Sequence, residues 1–537
     1  MPQDPISAAI AYHELSKHRL PNRYARSLGY LDWDNQPNPF RLYEATDRVP
    51  LAREDRTTGP TLAELYDPTR ITPAQPVTAA TLAELLYHSL ALSAWKQIGD
   101  KRWSLRCNPS SGNLHPTEAS LITGPLAELS DAPTIWHYTP LLHALERRAT
   151  LQPEQWSALV ADGEGTLVGL SSIHWRESWK YGERAYRYCQ HDIGHAIAAL
   201  AYAAAALGWH VRMLPAFDDS STAALLGLPE PAGPEPEHPD LLLFVGPRLP
   251  TGVSTLPTAI NFQGEPNRLS EEHQLWPVID HVARACARVG AVTITEPAPP
   301  SLPEPEPAPT TTAAHQLVRT RRSAVEMDGV TTLPRAAWLR MLARTYPRQD
   351  HVPFASLLGR PRVHLLLFVH RVDEVEPGLY LLLRDRSQRD AIAASFHANF
   401  QWTLVDTGAL ALPLYLLEHA DTRPAASLVS CRQAIAADGA FAAAMLAEFE
   451  PTLREHGAWM YRHLHWEAGA IGQVLYLEAE AANQRATGIG CFFDDGVHEL
   501  LGLRDRSLQT LYHFTVGGPV DDPRLRTVDA YHHLTAE

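Results

Sequence analysis

Two long stretches dominate the pattern of apolar and polar positions. Residues 185–207 and 459–483 are Ala-rich and predict long helices, and small side chains there would let one helix approach the other closely. Runs rich in Leu, β-branched and aromatic residues predict strands at 118–123, 134–138, 241–245, 363–369, 378–383 and 510–516. Further helices are predicted over 79–92, 334–345 and 434–449. Long helices beside modest sheets give an α+β architecture.

The pattern occurs twice. Tyr181-Gly182-Glu183-Arg184-Ala185-Tyr186-Arg187 aligns with His456-Gly457-Ala458-Trp459-Met460-Tyr461-Arg462, sharing Gly, three residues, then Tyr-Arg. Asp192 then falls on Glu467, and Gly194 on Gly469. Each long helix is followed by an aromatic-Asp-Asp signal, Phe217-Asp218-Asp219 and Phe493-Asp494-Asp495. Next come Leu225-Leu226-Gly227-Leu228 and Leu500-Leu501-Gly502-Leu503, then a β-rich run ending in Gly-Pro. Four ordered features at near-equal spacing indicate tandem duplication. The division falls at the proline-rich 296–309, a stiff extended spacer of about 3.1 Å per residue. Domains are therefore expected at 1–295 and 310–537, with the helices as a pseudo-symmetric seam of an intramolecular pseudo-dimer. A second acidic proline stretch, 229–239, reads as a surface loop.

Composition narrows the function. Lys and Arg number 46 against 61 Asp and Glu, a net charge of -15 that disfavours nucleic-acid binding. The five cysteines are scattered without a C-x-x-C, which argues against a disulfide framework or zinc-cysteine site. The opening MPQDPISAAI lacks a signal-peptide pattern, and the apolar stretch 196–211 is too short for a membrane span, so a cytoplasmic location with no membrane partner is expected. His191 and His195 stand one helical turn apart but lack a third ligand at fixed spacing, so no metal is expected. Cys189 and Cys491 read as core residues, and Asp192 and Glu467 as acceptors for internal donors.

Three segments carry candidate chemistry. Arg106-Cys107-Asn108-Pro109-Ser110-Ser111-Gly112-Asn113-Leu114-His115-Pro116 is a turn offering hydroxyl and amide groups to a polar ligand. Arg319-Thr320-Arg321-Arg322-Ser323 suits a phosphate. Arg524 and Arg526, after the last strand, are a similar but sparser signal.

Together with Gly488-Ile489-Gly490, these segments resemble the flavin-dependent nitroreductase superfamily. The run Trp179-Lys180-Tyr181-Gly182-Glu183-Arg184-Ala185-Tyr186-Arg187-Tyr188, continued by Gly194-His195, is similar to the SagB/ThcOx-type dehydrogenases, a branch that includes oxidases of peptide azolines. The resemblance implies FMN bound where two subunits meet, here the two halves, with a small-molecule or modified-peptide substrate. It also implies Lys180 and Tyr181 as the catalytic pair. Cofactor contacts would come from Arg106, Pro109, Ser110, Ser111, Asn113, Arg321, Ser323, Gly488, Ile489, Gly490, Arg524 and Arg526. The second copy has Glu455-His456 in place of the Lys-Tyr pair. It offers only Gly359-Arg360-Pro361-Arg362 near the place of the Pro-Ser-Ser-Gly-Asn loop, and Val325 and Met327 where the family usually carries Arg and an aromatic. The first copy has no convincing Arg-Arg-Ser, its nearest stretch being Asn22–Ser27. One composite FMN site per chain is therefore expected. An NAD(P)H-dependent nitro or quinone reductase and a flavin-free binding scaffold are the alternatives.

Overall fold

The computed structural model describes residues 4–534, apart from 55, 57, 68–71, 230–232, 254–259, 297–301 and 349–350. Two seven-stranded sheets organise it. Across the first lie Arg48–Pro50, Ala144–Thr150, Thr134–Thr139, Thr117–Thr123, Glu164–Ile173, Glu237–Arg248 and His210–Met213. Across the second lie Thr403–Leu404, Leu414–His419, Gly378–Leu382, Val363–Val369, Phe441–Glu448, Leu508–Gly517 and Arg485–Ile489. The strand order matches except at one edge, where the outer strand comes from upstream in the first sheet and from within the meander in the second. The chain is thus two tandem α+β units, as the duplicated pattern predicts.

Three expectations need correction. Residues 434–449 are not one helix: Ile435–Asp438 is a short helix, and Phe441–Glu448 is a strand between Val363–Val369 and Leu508–Gly517. Both faces of this strand are covered, with Phe441, Ala443, Met445 and Ala447 entering one core and Ala442, Ala444 and Leu446 another. Burial on both faces erases the apolar-polar alternation that marks a strand, leaving an Ala-rich run that reads as helix. The helix predicted over 79–92 ends at Tyr87, because Leu92–Ile98 is drawn into a three-stranded sheet with Lys101–Arg106 and Arg526–Val528. The 229–239 stretch gives way at Glu237 to a long strand, and Pro239 is tolerated there at a register shift. In the described part of the proline-rich segment Leu302 is buried, and Glu304 pairs with Arg344 and Arg348 of the helix Arg335–Thr345 and the residues after it.

The central helices Ala185–Ala206 and Met460–Ala481 cross at Gly194 and Gly469. A Cβ at Gly194 would stand 2.2 Å from the Trp466 carbonyl oxygen, and one at Gly469 would stand 2.2 Å from that of His191. Only glycine permits that approach. The Tyr186 and Tyr461 rings stack at 6.2 Å beside the crossing. The matched arginines reach across reciprocally: Arg187 of the first unit pairs with Asp494 of the second, and Arg462 pairs with Asp219 at 2.8 Å. The chain ends also cross over. Arg526–Val528 pairs with the first unit's Leu92–Ile98, and His13, in the helix Pro5–Leu15, bonds Gln509 at 3.1 Å.

Candidate functional site

A cavity of about 430 Å³, a size typical of small-molecule sites, opens where the units meet. The first unit contributes the turn after Lys101–Arg106 and the start of its central helix. The second contributes the segment after the helix Ala314–Thr320 and the end of the edge strand Arg485–Ile489. Arg106, Pro109, Ser110, Ser111, Asn113 and Tyr181 therefore share walls with Arg321, Ser323, Gly488, Ile489 and Gly490. These eleven predicted positions, remote in sequence, come together.

Three predicted residues do not line the cavity. Arg524 is exposed and turned onto Asp522 at 2.7 Å, Arg526 is exposed in its strand, and Leu525 between them faces the site. Lys180 is not among the lining residues; its ammonium lies 5.2 Å from the centre of the Tyr181 ring. Sequence reasoning missed Lys96, Tyr476 and Tyr512, which also line the space, and Arg322 and Tyr188, members of the sequence motifs, line it too. The two tyrosines 476 and 512 lie inside apolar elements, where nothing in the local pattern separates a wall from a core residue.

One end of the cavity is cationic. Arg321 is buried, with its guanidinium 4.6 Å from the centre of the Tyr476 ring, and its Nε and Nη1 have no hydrogen-bond partner among the described residues. Burial and the neighbouring Arg321 push Arg322 down to about 10, and burial and Arg322 lower Lys96. Buried like charges with unused donors cost stability unless an anion joins them. Ser323 Oγ is 2.8 Å from the Tyr476 hydroxyl, which accepts the Gly488 N–H at 3.1 Å, so the second-unit wall is braced from inside.

The opposite wall is a turn held by an acid. Gly112 takes φ +58, and Asn113 also lies in the left-handed region at φ 61, a shape that suits the Gly-Asn sequence. Asn113 donates to the Ser104 carbonyl at 2.7 Å, and the His115 N–H bonds Ser110 Oγ at 2.8 Å. Asp192, one of the matched acids, accepts the Ser111 N–H at 3.1 Å and the Ser111 hydroxyl at 3.2 Å. Burial raises its carboxyl to about 7 despite those bonds. Burial, with Asp192 nearby, also pushes the Glu177 carboxyl well above the usual carboxylate range, and burial and Glu177 hold the Tyr181 hydroxyl well above its ordinary range. Tyr181 therefore faces the cavity as a proton donor.

The symmetry-related place is built differently. Glu467 accepts the Arg362 N–H at 3.0 Å as Asp192 accepts that of Ser111, so Gly359–Arg362 occupies the turn's position. There the chain covers itself. Val292 N–H bonds the Pro215 carbonyl at 3.1 Å, and Glu296 accepts the Arg360 N–H at 2.7 Å and the Arg362 guanidinium at 2.6 Å. A Cβ at Gly359 would meet Glu296 Oε2 at 2.7 Å and Ile294 at 3.1 Å. The carboxylate of Glu296 thus neutralises the arginines of this half.

The candidate site is thus a cavity between two α+β units, with a cationic end and a phenolic wall. The chain belongs to the nitroreductase family, whose model matches residues 70–246 and 361–518, one segment in each unit. This places it among oxidoreductases. A crystal structure of a nitroreductase from Anabaena variabilis is similar over 96% of this chain and 99% of its own, with a TM-score of 0.68 at 20% identity. A curated protein of Methanocaldococcus jannaschii named as a nitroreductase is 27% identical over 82 residues, 15% of this chain and 41% of that protein's length. The Escherichia coli microcin synthetase McbBCD complex with truncated pro-MccB17 contains a chain 18% identical, covering 46% of this chain and 94% of its own at a TM-score of 0.28. No helix among the described residues is long and apolar enough to cross a membrane.

Proposed function

We propose that the chain is an FMN-dependent dehydrogenase of the SagB/ThcOx type that binds one FMN between its units and oxidises a small molecule or modified peptide. The observation that carries this reading is the meeting of the Pro-Ser-Ser-Gly-Asn turn with Arg321, whose buried Nε and Nη1 have no hydrogen-bond partner among the described residues. Arg321, with Arg322, Lys96 and Ser323 around it, would hold the phosphate, and Gly488–Gly490 and the turn would flank the ring system. When bound, FMN supplies the acceptor for a hydride from a substrate C–H bond.

The chain's own groups manage the proton that leaves with that hydride. Tyr181 can hydrogen-bond the substrate's heteroatom from the cavity wall and pass the departing proton on to the Asp192 carboxylate, which lines the same cavity. Lys180 supports Tyr181, its ammonium 5.2 Å from the centre of that ring. Asp192 changes protonation near neutrality beneath the same wall.

The test is to add FMN to the purified chain, count bound flavin, and follow anaerobic bleaching with azoline peptides and with NADPH. Bleaching by a C–N substrate that slows at least about 10²-fold in Tyr181→Phe supports the dehydrogenase. Bleaching by NADPH that ignores both Lys180→Ala and Tyr181→Phe assigns a nitro or quinone reductase. Failure to bind FMN assigns a flavin-free scaffold.

A further inference from the structure

Five cysteines are present, and two of them meet. Cys431 follows the helix Arg423–Val429, and Cys491 follows the edge strand Arg485–Ile489. Their sulfurs lie 2.7 Å apart and both residues are half-buried, whereas Cys107, Cys189 and Cys286 are buried. A disulfide needs sulfurs about 2.05 Å apart, so bond formation asks for a movement well under 1 Å. The supporting backbone is fixed on both sides. Gln433 Nε2 donates to the Cys491 carbonyl at 2.9 Å, and the Phe493 N–H to the Val429 carbonyl at 2.7 Å. Cys431 and Arg432 are successive non-glycine residues in the left-handed region, at φ 54 and 59, a backbone shape that L residues rarely adopt.

The surroundings distinguish the two sulfurs. Cys491 lines the cavity together with Gln433. Its thiol is held below the ordinary range by the Cys431 hydrogen bond, by His18 and by the Arg184 guanidinium, while the same contact and burial raise Cys431. His18 Nδ1 accepts the Ala25 N–H at 2.9 Å, which leaves the imidazole proton on Nε2. Cys491 has the environment of an attacking thiolate and Cys431 that of a resolving thiol.

We propose that Cys431 and Cys491 form a redox-active dithiol at the rim of the cavity, which exchanges with low-molecular-weight disulfides such as oxidised glutathione. Cys491 sulfur attacks one sulfur of the small disulfide and expels the other half as a thiol, leaving a mixed disulfide on Cys491. Cys431 sulfur then attacks Cys491 sulfur and releases the second thiol. Two protein thiols are oxidised to one disulfide and one small disulfide is reduced to two thiols, with both protons leaving on those thiols. The bond staples the loop carrying Gln433 to the strand end carrying Gly490, both of them cavity wall. This inference stands whether or not FMN binds.

The experiment is incubation of the full chain with oxidised glutathione, followed by thiol counting and peptide mass mapping. The expected result is loss of two thiols, a Cys431–Cys491 cross-linked peptide, no retained glutathione, and full reversal by dithiothreitol. Cys431→Ser should retain one glutathione on Cys491, and Cys491→Ser should label at least 10-fold more slowly. A wild-type chain that keeps all five thiols, retains glutathione as a stable adduct, or links any other pair overturns the proposal, and so does equal labelling of the two variants. The wild-type map decides the matter even if a variant fails to fold.

Discussion

Arg321 offers the sharpest test of the composite site. Its side chain is 4% exposed, and its Nε and Nη1 have no hydrogen-bond partner among the described residues, so a bound phosphate gains two charge-assisted bonds there. At about 1.5–3 kcal/mol each, Arg321→Ala forfeits about 3–6 kcal/mol, a roughly 10²- to 10⁴-fold rise in the dissociation constant of FMN. Arg321→Lys keeps the charge but not the planar fork and should fall between. The symmetry-related half cannot compensate, because Glu296 already pairs with Arg362 and Ile294 and Glu296 pack against Gly359. Equilibrium dialysis with flavin absorbance should therefore give one equivalent per wild-type chain and near zero for Arg321→Ala at micromolar FMN. Unfolding temperatures should rise with FMN for wild type only. Two equivalents per chain, or an Arg321→Ala affinity within about threefold of wild type, would refute the reasoning.

The remaining predictions concern the wall and the seam. Tyr181→Phe and Lys180→Ala should each retain flavin yet slow substrate oxidation by about 10²-fold or more, and stopped-flow bleaching checks both. The Asp192 carboxyl rises from 3.8 to about 7 on folding, so the native state holds the extra proton. Its contribution to stability is complete below pH 4 and is lost as pH rises through about 7, by of order 4 kcal/mol, and denaturant titrations should show Asp192→Asn gaining on wild type over that range. Glu177 pushes in the same direction, so Asp192→Asn/Glu177→Gln should flatten the profile further. Gly194→Ala forces a methyl to 2.2 Å from the Trp466 backbone oxygen, and thermal unfolding should report a loss of about 3 kcal/mol or more; a variant as stable as wild type would remove the glycine crossing from the account of the seam.

The sequence by itself determined the duplication, because repeated spacing survives when most side chains diverge. Gly194 and Gly469 were legible as matched positions, as were Arg187 and Arg462, since such residues are held by contacts that few others can make. It also determined that the Pro-Ser-Ser-Gly-Asn turn and the Arg-Arg-Ser segment survive in different copies. What it misread was local pattern under tertiary control. The strand Phe441–Glu448 looks helical because both its faces are buried, and the helix beginning at Ala79 stops at Tyr87 because a strand from the chain's far end captures Leu92–Ile98. Distance along the chain hid the rest. Only the tertiary structure turns Arg524 outward onto Asp522, sets Lys180 against the Tyr181 ring, lays Glu296 over the second turn and brings Cys431 to Cys491. Each depends on contacts between remote segments, and spacing along the chain encodes which residue types are available but not the direction in which packing points them.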